Sequence, residues 1–145
     1  MERQLGRPPR AFRRVAVRCP FGRPAVAEQA PVDEHGAPFP TQFWITCPHL
    51  VVQIARVEAA GGVERWTHAA ETEPRLTRSL ARAHAEQRAL RPELPLGIGG
   101  AGRPGSLKCL HAHAAFALAR PGYELGDLIL ADAAPLWPSA GCCSP

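Results

Sequence analysis

The residues of this chain that are best suited to chemistry are gathered in one short segment. Lys108, Cys109, His111 and His113 stand close together, and Lys108 is the sole lysine among the 17 basic side chains of the Lys and Arg type. Lysine offers a compact ammonium that can rotate or titrate, whereas arginine offers a planar fork that stays charged. A lysine kept where every other such residue is arginine therefore indicates a functional position.

A candidate metal site combines this segment with two cysteines from earlier in the chain. Cys19 and Cys47 each precede a proline at the predicted end of a strand or start of a helix. Cys109 and His113 are four residues apart, so one helical face would carry both. The set Cys19, Cys47, Cys109 and His113 suits tetrahedral zinc. Zinc is accordingly the cofactor that the sequence favours, and buried cysteines that act only as small apolar residues are the alternative.

A metal-free thiol enzyme is the second hypothesis for the same segment. With Ser106 as the predicted N-cap, Cys109 lies in the first turn of a helix, where partial positive charge favours a thiolate. Cys109 would be the nucleophile, His111 or His113 the base, and Lys108 would stabilise the thiolate. No arginine follows Cys109 closely, which excludes the phosphate-binding loop of a cysteine phosphatase.

A glycine-rich stretch at residues 97–105 precedes this segment. Such a loop can turn backbone N–H groups toward a phosphate or a carboxylate. The candidate anion-binding residues are Gly99, Gly100, Gly102, Arg103 and Lys108. Their spacing matches neither a dinucleotide-binding loop nor a Walker loop. A small anionic ligand is the partner that this loop predicts, and a plain connector is the alternative.

Positive charge is concentrated at the N-terminus. Seven arginines and one acid occupy residues 1–23, in a chain of net charge +4. Such an arm is suited to nucleic acid or another polyanion. Only Phe12 and Phe21 are available there to stack on bases, so a solvated segment is the favoured interpretation.

Length and composition predict one domain. The chain has 145 residues, of which 46% are apolar, as is typical of a globular protein. No apolar run approaches the ~20 residues that span a bilayer, and the N-terminus lacks the apolar core of a signal peptide. We therefore expect a cytoplasmic protein without membrane contact. A basic arm at 1–14, a globular domain at 15–131 and an irregular tail at 132–145 are expected.

Local patterns predict an α+β fold, in which a small N-terminal antiparallel β hairpin or sheet packs on three to four helices. Strands are predicted at 15–18, 25–30 and 41–46. Helices are predicted at 48–60, 73–91, 106–119 and around 125–130. Trp44 is predicted in the core because aromatic strand residues are usually buried. His84 is predicted on the surface because its neighbours are polar.

Seven short motifs occur in order along the chain, at 4–10, 18–22, 36–41, 46–48, 50–58, 97–100 and 108–113. In that order they resemble the bacterial domain-of-unknown-function 501 family, over residues 4 to about 120. The resemblance implies a small, stand-alone cytosolic bacterial protein. It implies no activity and no residue roles, and it leaves Cys142 and Cys143 in the tail outside the matched part.

Overall fold

The computed structural model describes residues 1–142 and confirms a single-domain α+β arrangement. Its strands are β1 (Phe12–Arg18), β2 (Pro24–Gln29) and β3 (Phe43–Ile45). Its helices are α1 (Glu2–Leu5), α2 (Pro48–Ala59), α3 (Gly62–Thr72), α4 (Pro74–Leu90), α5 (Leu110–Ala119) and α6 (Glu124–Asp132), with a 3₁₀ turn at Ile98–Gly100. Cys143 lies outside the described residues.

The three strands form one antiparallel sheet in the order β1-β2-β3. β3 is therefore an edge strand that pairs with β2 alone. Its inner face packs on α5, where the rings of Phe43 and Phe116 meet edge to face at 5.9 Å between centroids. α5 is buried on almost every side, which is typical of a helix that is apolar all round. It forms the centre of the core.

A pair of glycines both ends α2 and begins α3. The sequence predicts the end of α2 here, and the structure confirms it. Gly61 takes a left-handed conformation, with φ of 82°, that L side chains rarely adopt. The chain then enters α3 at once, a helix that the sequence analysis does not predict. A left-handed glycine stops one helix, but it does not forbid the next residue from starting another.

The helix that carries Cys109 begins later than expected. Ser106 is not its N-cap, because α5 starts at Leu110 with Cys109 in the N-cap position and extended backbone. The intervening chain bends at Lys108, whose φ of 60° is unusual for a residue with a side chain. Cys109 therefore precedes the first turn instead of lying in it.

Residues near both ends of the described part of the chain bond to the rest of the domain. Gln4 donates from Nε2 to the carbonyl of Pro24 at 2.8 Å, and the Arg10 guanidinium pairs with the Asp33 carboxylate. Near the other end, His49 bonds the carbonyl of Pro135 through Nε2 at 2.9 Å. Within residues 1–142, no helix is long and apolar enough to cross a membrane.

Candidate functional site

A groove of about 680 Å³ runs along the outer edge of β3. We call it the β3 groove. The N-terminal helix, β3, α2 and the start of α5 contribute its walls. Its lining residues are Gln4, Leu5, Arg7, Thr41, Phe43, Trp44, Ile45, Thr46, Pro48, Val51, Val52, Cys109, His111 and Ala112.

The backbone of β3 is paired on one side only. Trp44 lies opposite Ala27 of β2. On either side of this pair, the Gln42 carbonyl accepts from the Gln29 N–H and the Thr46 N–H donates to the Ala25 carbonyl. Because antiparallel strands alternate the direction of their polar groups, those of Phe43 and Ile45 point to the opposite edge. In the described chain, neither makes a backbone hydrogen bond with another element.

Apolar side chains remain exposed along this groove. Trp44 is 40% exposed, so its predicted place in the core is wrong. It stands on the outer face of an edge strand, where its ring meets Phe39 edge to face. Val52 is 49% exposed and Val51 is 37% exposed on the neighbouring α2. These three apolar side chains line one groove, and exposed apolar patches are a common feature of binding surfaces.

A carboxylate ties α2 to the beginning of α5 at one end of the groove. Glu58 Oε2 accepts a hydrogen bond from the Leu110 N–H at 2.9 Å. Glu58 Oε1 lies 2.9 Å from His111 Nδ1. A carboxylate at a helix N-terminus satisfies an orphan N–H and complements the helix dipole. The anion position at this helix end is therefore occupied by the protein itself.

Cys109 and His111 both line the groove, but the ring nitrogens of His111 contact other groups. Its Nδ1 faces Glu58 and its Nε2 lies 3.2 Å from the carbonyl oxygen of Val51. Both ring nitrogens thus have oxygen partners, and neither is free in this arrangement to take a proton from Cys109. Lys108 is exposed and its Nζ approaches the Gly100 carbonyl at 3.5 Å.

Two buried histidines hold the glycine-rich segment in place. His84 Nδ1 accepts the N–H of Ile98 at 3.0 Å, and its Nε2 donates to the Ser106 carbonyl at 3.2 Å. His113 Nε2 donates to the Leu107 carbonyl at 2.8 Å. His84 is 1% exposed, so its predicted surface position is wrong. The loop is clamped at both ends by imidazole rings.

Burial keeps this pair of histidines neutral. It lowers the pKa of His113 to about 3, and it lowers the pKa of His84 as well. His113 Nδ1 accepts a hydrogen bond from the Tyr123 hydroxyl at 2.7 Å, and burial raises the pKa of that phenol. The hydrogen bonds of both rings are those of the neutral tautomer with the proton on Nε2.

The structure does not assemble the four-ligand metal set that the sequence suggests. Among residues 1–142, no group of three or more His, Cys, Asp and Glu side chains could hold a metal ion. His113 uses both nitrogens in bonds to Tyr123 and Leu107, so neither is left to coordinate an ion. Cys19 and Cys47 are buried and Cys109 is partly buried, and none of the three forms a disulfide with another described cysteine.

The glycine-rich loop also uses its polar groups internally. The N–H groups of Gly97, Ile98, Gly100 and Ala101 are donated to acceptors within the protein. These donors are not available to an anion. Gly99 and Gly100 adopt positive φ because the chain makes a tight turn there. Gly102 and Arg103, the remaining candidates for anion binding, are exposed on the loop.

Comparison with known proteins places the chain in a family. No curated protein and no solved structure matches it. A family model described as a protein of unknown function, DUF501, matches residues 15–96. This match covers more than half of the chain, including part of β1 and the whole of β2, β3, α2, α3 and α4. The chain belongs to the DUF501 family.

Proposed function

We propose that this protein binds an extended peptide segment of a partner, which adds as a further strand to β3 in the β3 groove. The observation that carries the proposal is the edge of β3 that faces the groove, where the backbone groups of Phe43 and Ile45 pair with no other described strand. The exposed apolar side chains of Trp44, Val51 and Val52 line the same groove. In strand addition, main-chain hydrogen bonds supply affinity and pockets for alternate side chains supply specificity.

The walls of the groove define the chemistry of the segment. Trp44, Val51 and Val52 favour apolar side chains at the positions of the peptide that face them. Arg7 lines the same groove, in a region where arginines far outnumber acids. Opposite charges steer association and fix register. The favoured occupant is therefore an extended segment that alternates apolar residues and carries an acidic residue at one end.

The thiol hypothesis has weaker support from the same groove. Cys109 lines it together with His111, but both ring nitrogens of His111 already have oxygen partners on Glu58 and Val51. Catalysis would require His111 to leave the Val51 carbonyl. A catalytic role for Cys109, His111 and Lys108 stays a prediction, which the rate of alkylation of Cys109 at neutral pH can check.

Zinc binding and polyanion binding also stay predictions. Zinc has little support, because the described residues hold no ligand group and His113 is fully hydrogen-bonded. Elemental analysis of chelator-free protein against Cys109→Ser checks it. For the arginine arm, the steepness of salt dependence in nucleic-acid binding is the corresponding measurement.

Selection from a library of random twelve-residue peptides, followed by binding measurements on variants, tests the proposal. Val52→Gln puts a polar amide into the groove, whereas Leu90→Gln makes the same kind of change at an exposed apolar residue of α4 outside it. We expect Val52→Gln to weaken the selected peptides by about tenfold and Leu90→Gln by less than about twofold. Equal affinities for both variants, or no selected peptide, would contradict the proposal.

A further inference from the structure

A second concave site lies between α4 and the start of α6, apart from the β3 groove. We call it the α4–α6 pocket. Its volume is about 410 Å³. Its lining residues are Arg75, Arg78, Ser79, Arg82, Ala83, Glu86, Pro121, Gly122, Tyr123 and Glu124. Three of them are arginines of one helix.

Ion pairs neutralise only part of this pocket. Arg75 pairs with Glu124 at 2.9 Å. Glu86 accepts from Arg120 Nε at 2.7 Å. In the part of the chain that the structure describes, Arg78 and Arg82 have no carboxylate within 4.0 Å. Two guanidinium groups therefore remain uncompensated once both acids of the pocket are paired.

The two arginines without a carboxylate partner lie on the same side of α4. Arg78 and Arg82 are four residues apart, which places them one turn apart on one helical face. Like charges at this spacing disfavour the helix, and an anion between them would remove that repulsion. Their guanidinium planes offer several N–H donors in a fork that matches phosphate oxygens.

A hydroxyl adds a further donor. Ser79 Oγ accepts a hydrogen bond from the Leu125 N–H at 3.1 Å. That bond fixes the oxygen at the wall of the pocket but leaves its own proton to be donated. Among the hydrogen bonds of residues 1–142, none has this hydroxyl as its donor. The pocket therefore combines two free guanidinium groups with a positioned hydroxyl.

We infer that the α4–α6 pocket binds a small anion that carries phosphoryl groups, such as a diphosphate. A concave site of this volume suits a compact ligand better than the continuous backbone of a nucleic acid. The inference is independent of peptide binding, because no residue lines both the pocket and the β3 groove.

Calorimetric titration with inorganic pyrophosphate at low salt tests the inference. The informative variant is Arg78→Gln with Arg82→Gln. The matched control is Arg56→Gln with Arg88→Gln, which changes the net charge equally at two exposed residues outside the pocket. Circular dichroism verifies that both double variants are folded.

We expect pyrophosphate to bind the wild-type protein, to bind the control within about twofold, and to bind the pocket variant about tenfold more weakly or worse. Three results would overturn the inference. The first is no binding to the wild-type protein, and the second is an equal loss in both double variants. The third is a single-stranded oligonucleotide that binds more tightly than pyrophosphate and loses affinity in the pocket variant.

Discussion

The imidazole of His84 accepts a hydrogen bond from the backbone N–H of Ile98 at 3.0 Å. This bond joins the middle of α4 to a loop fourteen residues further along the chain. The same ring donates to the carbonyl of Ser106, so one side chain holds both ends of the segment that leads to α5. The position of Cys109 and His111 in the β3 groove therefore depends on a histidine in another helix.

Replacing His84 by leucine should destabilise the protein. The substitution introduces an apolar side chain of similar size and leaves the Ile98 N–H and the Ser106 carbonyl without their partners. Each unsatisfied group costs about 1–3 kcal/mol, so we expect a loss of about 3 kcal/mol in the free energy of unfolding by urea. His68→Leu, at an exposed position of α3, is the control. Equal stability of the two variants would contradict the role of His84.

Gly97 is required by the same histidine. A Cβ at this position would lie 2.4 Å from His84 Nδ1, whereas a Cβ at Gly102 would meet nothing within 4 Å. We expect Gly97→Ala to cost about 1–3 kcal/mol by forcing the ring to move, and Gly102→Ala to cost much less. In a His84→Ala background the cost of Gly97→Ala should shrink, because contacting residues are not additive. A full cost in that background would exclude the steric explanation.

Acid should weaken the fold before most carboxylates titrate. Burial lowers the pKa of His113 to about 3 in the folded state, whereas the pKa of a histidine in the unfolded chain is about 6.5. The unfolded state therefore binds more protons as the pH falls below about 7, and stability is lost in that direction. From about pH 7 to about pH 5.5, His113 alone should remove about 1 kcal/mol. The lowered pKa of His84 acts in the same direction. Urea unfolding at the two pH values measures the loss, and unchanged stability would show that His113 is not held neutral.

Glu58 should matter to stability through the start of α5. Glu58→Ala removes the acceptor of the Leu110 N–H and the carboxylate beside His111, and we expect a loss of about 1–2 kcal/mol. Glu58→Gln keeps an oxygen acceptor and should lose less. Thermal unfolding compares both with Glu71→Ala, at an exposed position of α3, which should change stability by less than about 0.5 kcal/mol. If Glu58→Ala behaves like Glu71→Ala, the carboxylate does not cap α5.

Proline and glycine residues at helix boundaries, together with local residue patterns, are enough to predict much of the fold. Pro48 at the start of α2 and left-handed Gly61 at its end bound that helix almost where the sequence predicts. Pro74 likewise begins α4. The β-branched and aromatic residues at 41–46 predict a strand, and the structure confirms one there as the shorter β3. These features act within one or two turns of chain, so one stretch of sequence contains the whole signal.

The burial of His84 is predicted by the spacing of apolar residues along α4 but not by the residues next to it in the sequence. Leu76, Leu80 and Gln87 are buried on α4 together with His84, and all four recur at helical spacing. This helical spacing predicts that the histidine is buried, whereas the polarity of its neighbours in the sequence predicts that it is exposed. A buried polar residue within an apolar stripe predicts a specific hydrogen-bond partner, here the Ile98 N–H.

The candidate site itself could not be predicted from local pattern. The β3 groove depends on α1, β3, α2 and α5 meeting along one edge, and the bond from Glu58 to Leu110 joins residues 52 positions apart. Cys109 and His111 line this groove, while the functional role of Lys108, Cys109 and His111 stays a prediction. Tertiary contacts decide whether these residues bind a metal ion, form a thiol active site or hydrogen-bond to backbone carbonyls.

Amide hydrogen exchange by NMR, with and without a selected peptide, tests the central claim most directly. If the peptide adds as a strand, the amides of Phe43 and Ile45 should slow by about tenfold or more, because they become hydrogen-bonded. The Trp44 amide, which faces β2, should change little. Protection confined to residues outside β3, or unchanged exchange at Phe43 and Ile45 in a saturated complex, would contradict strand addition at this edge.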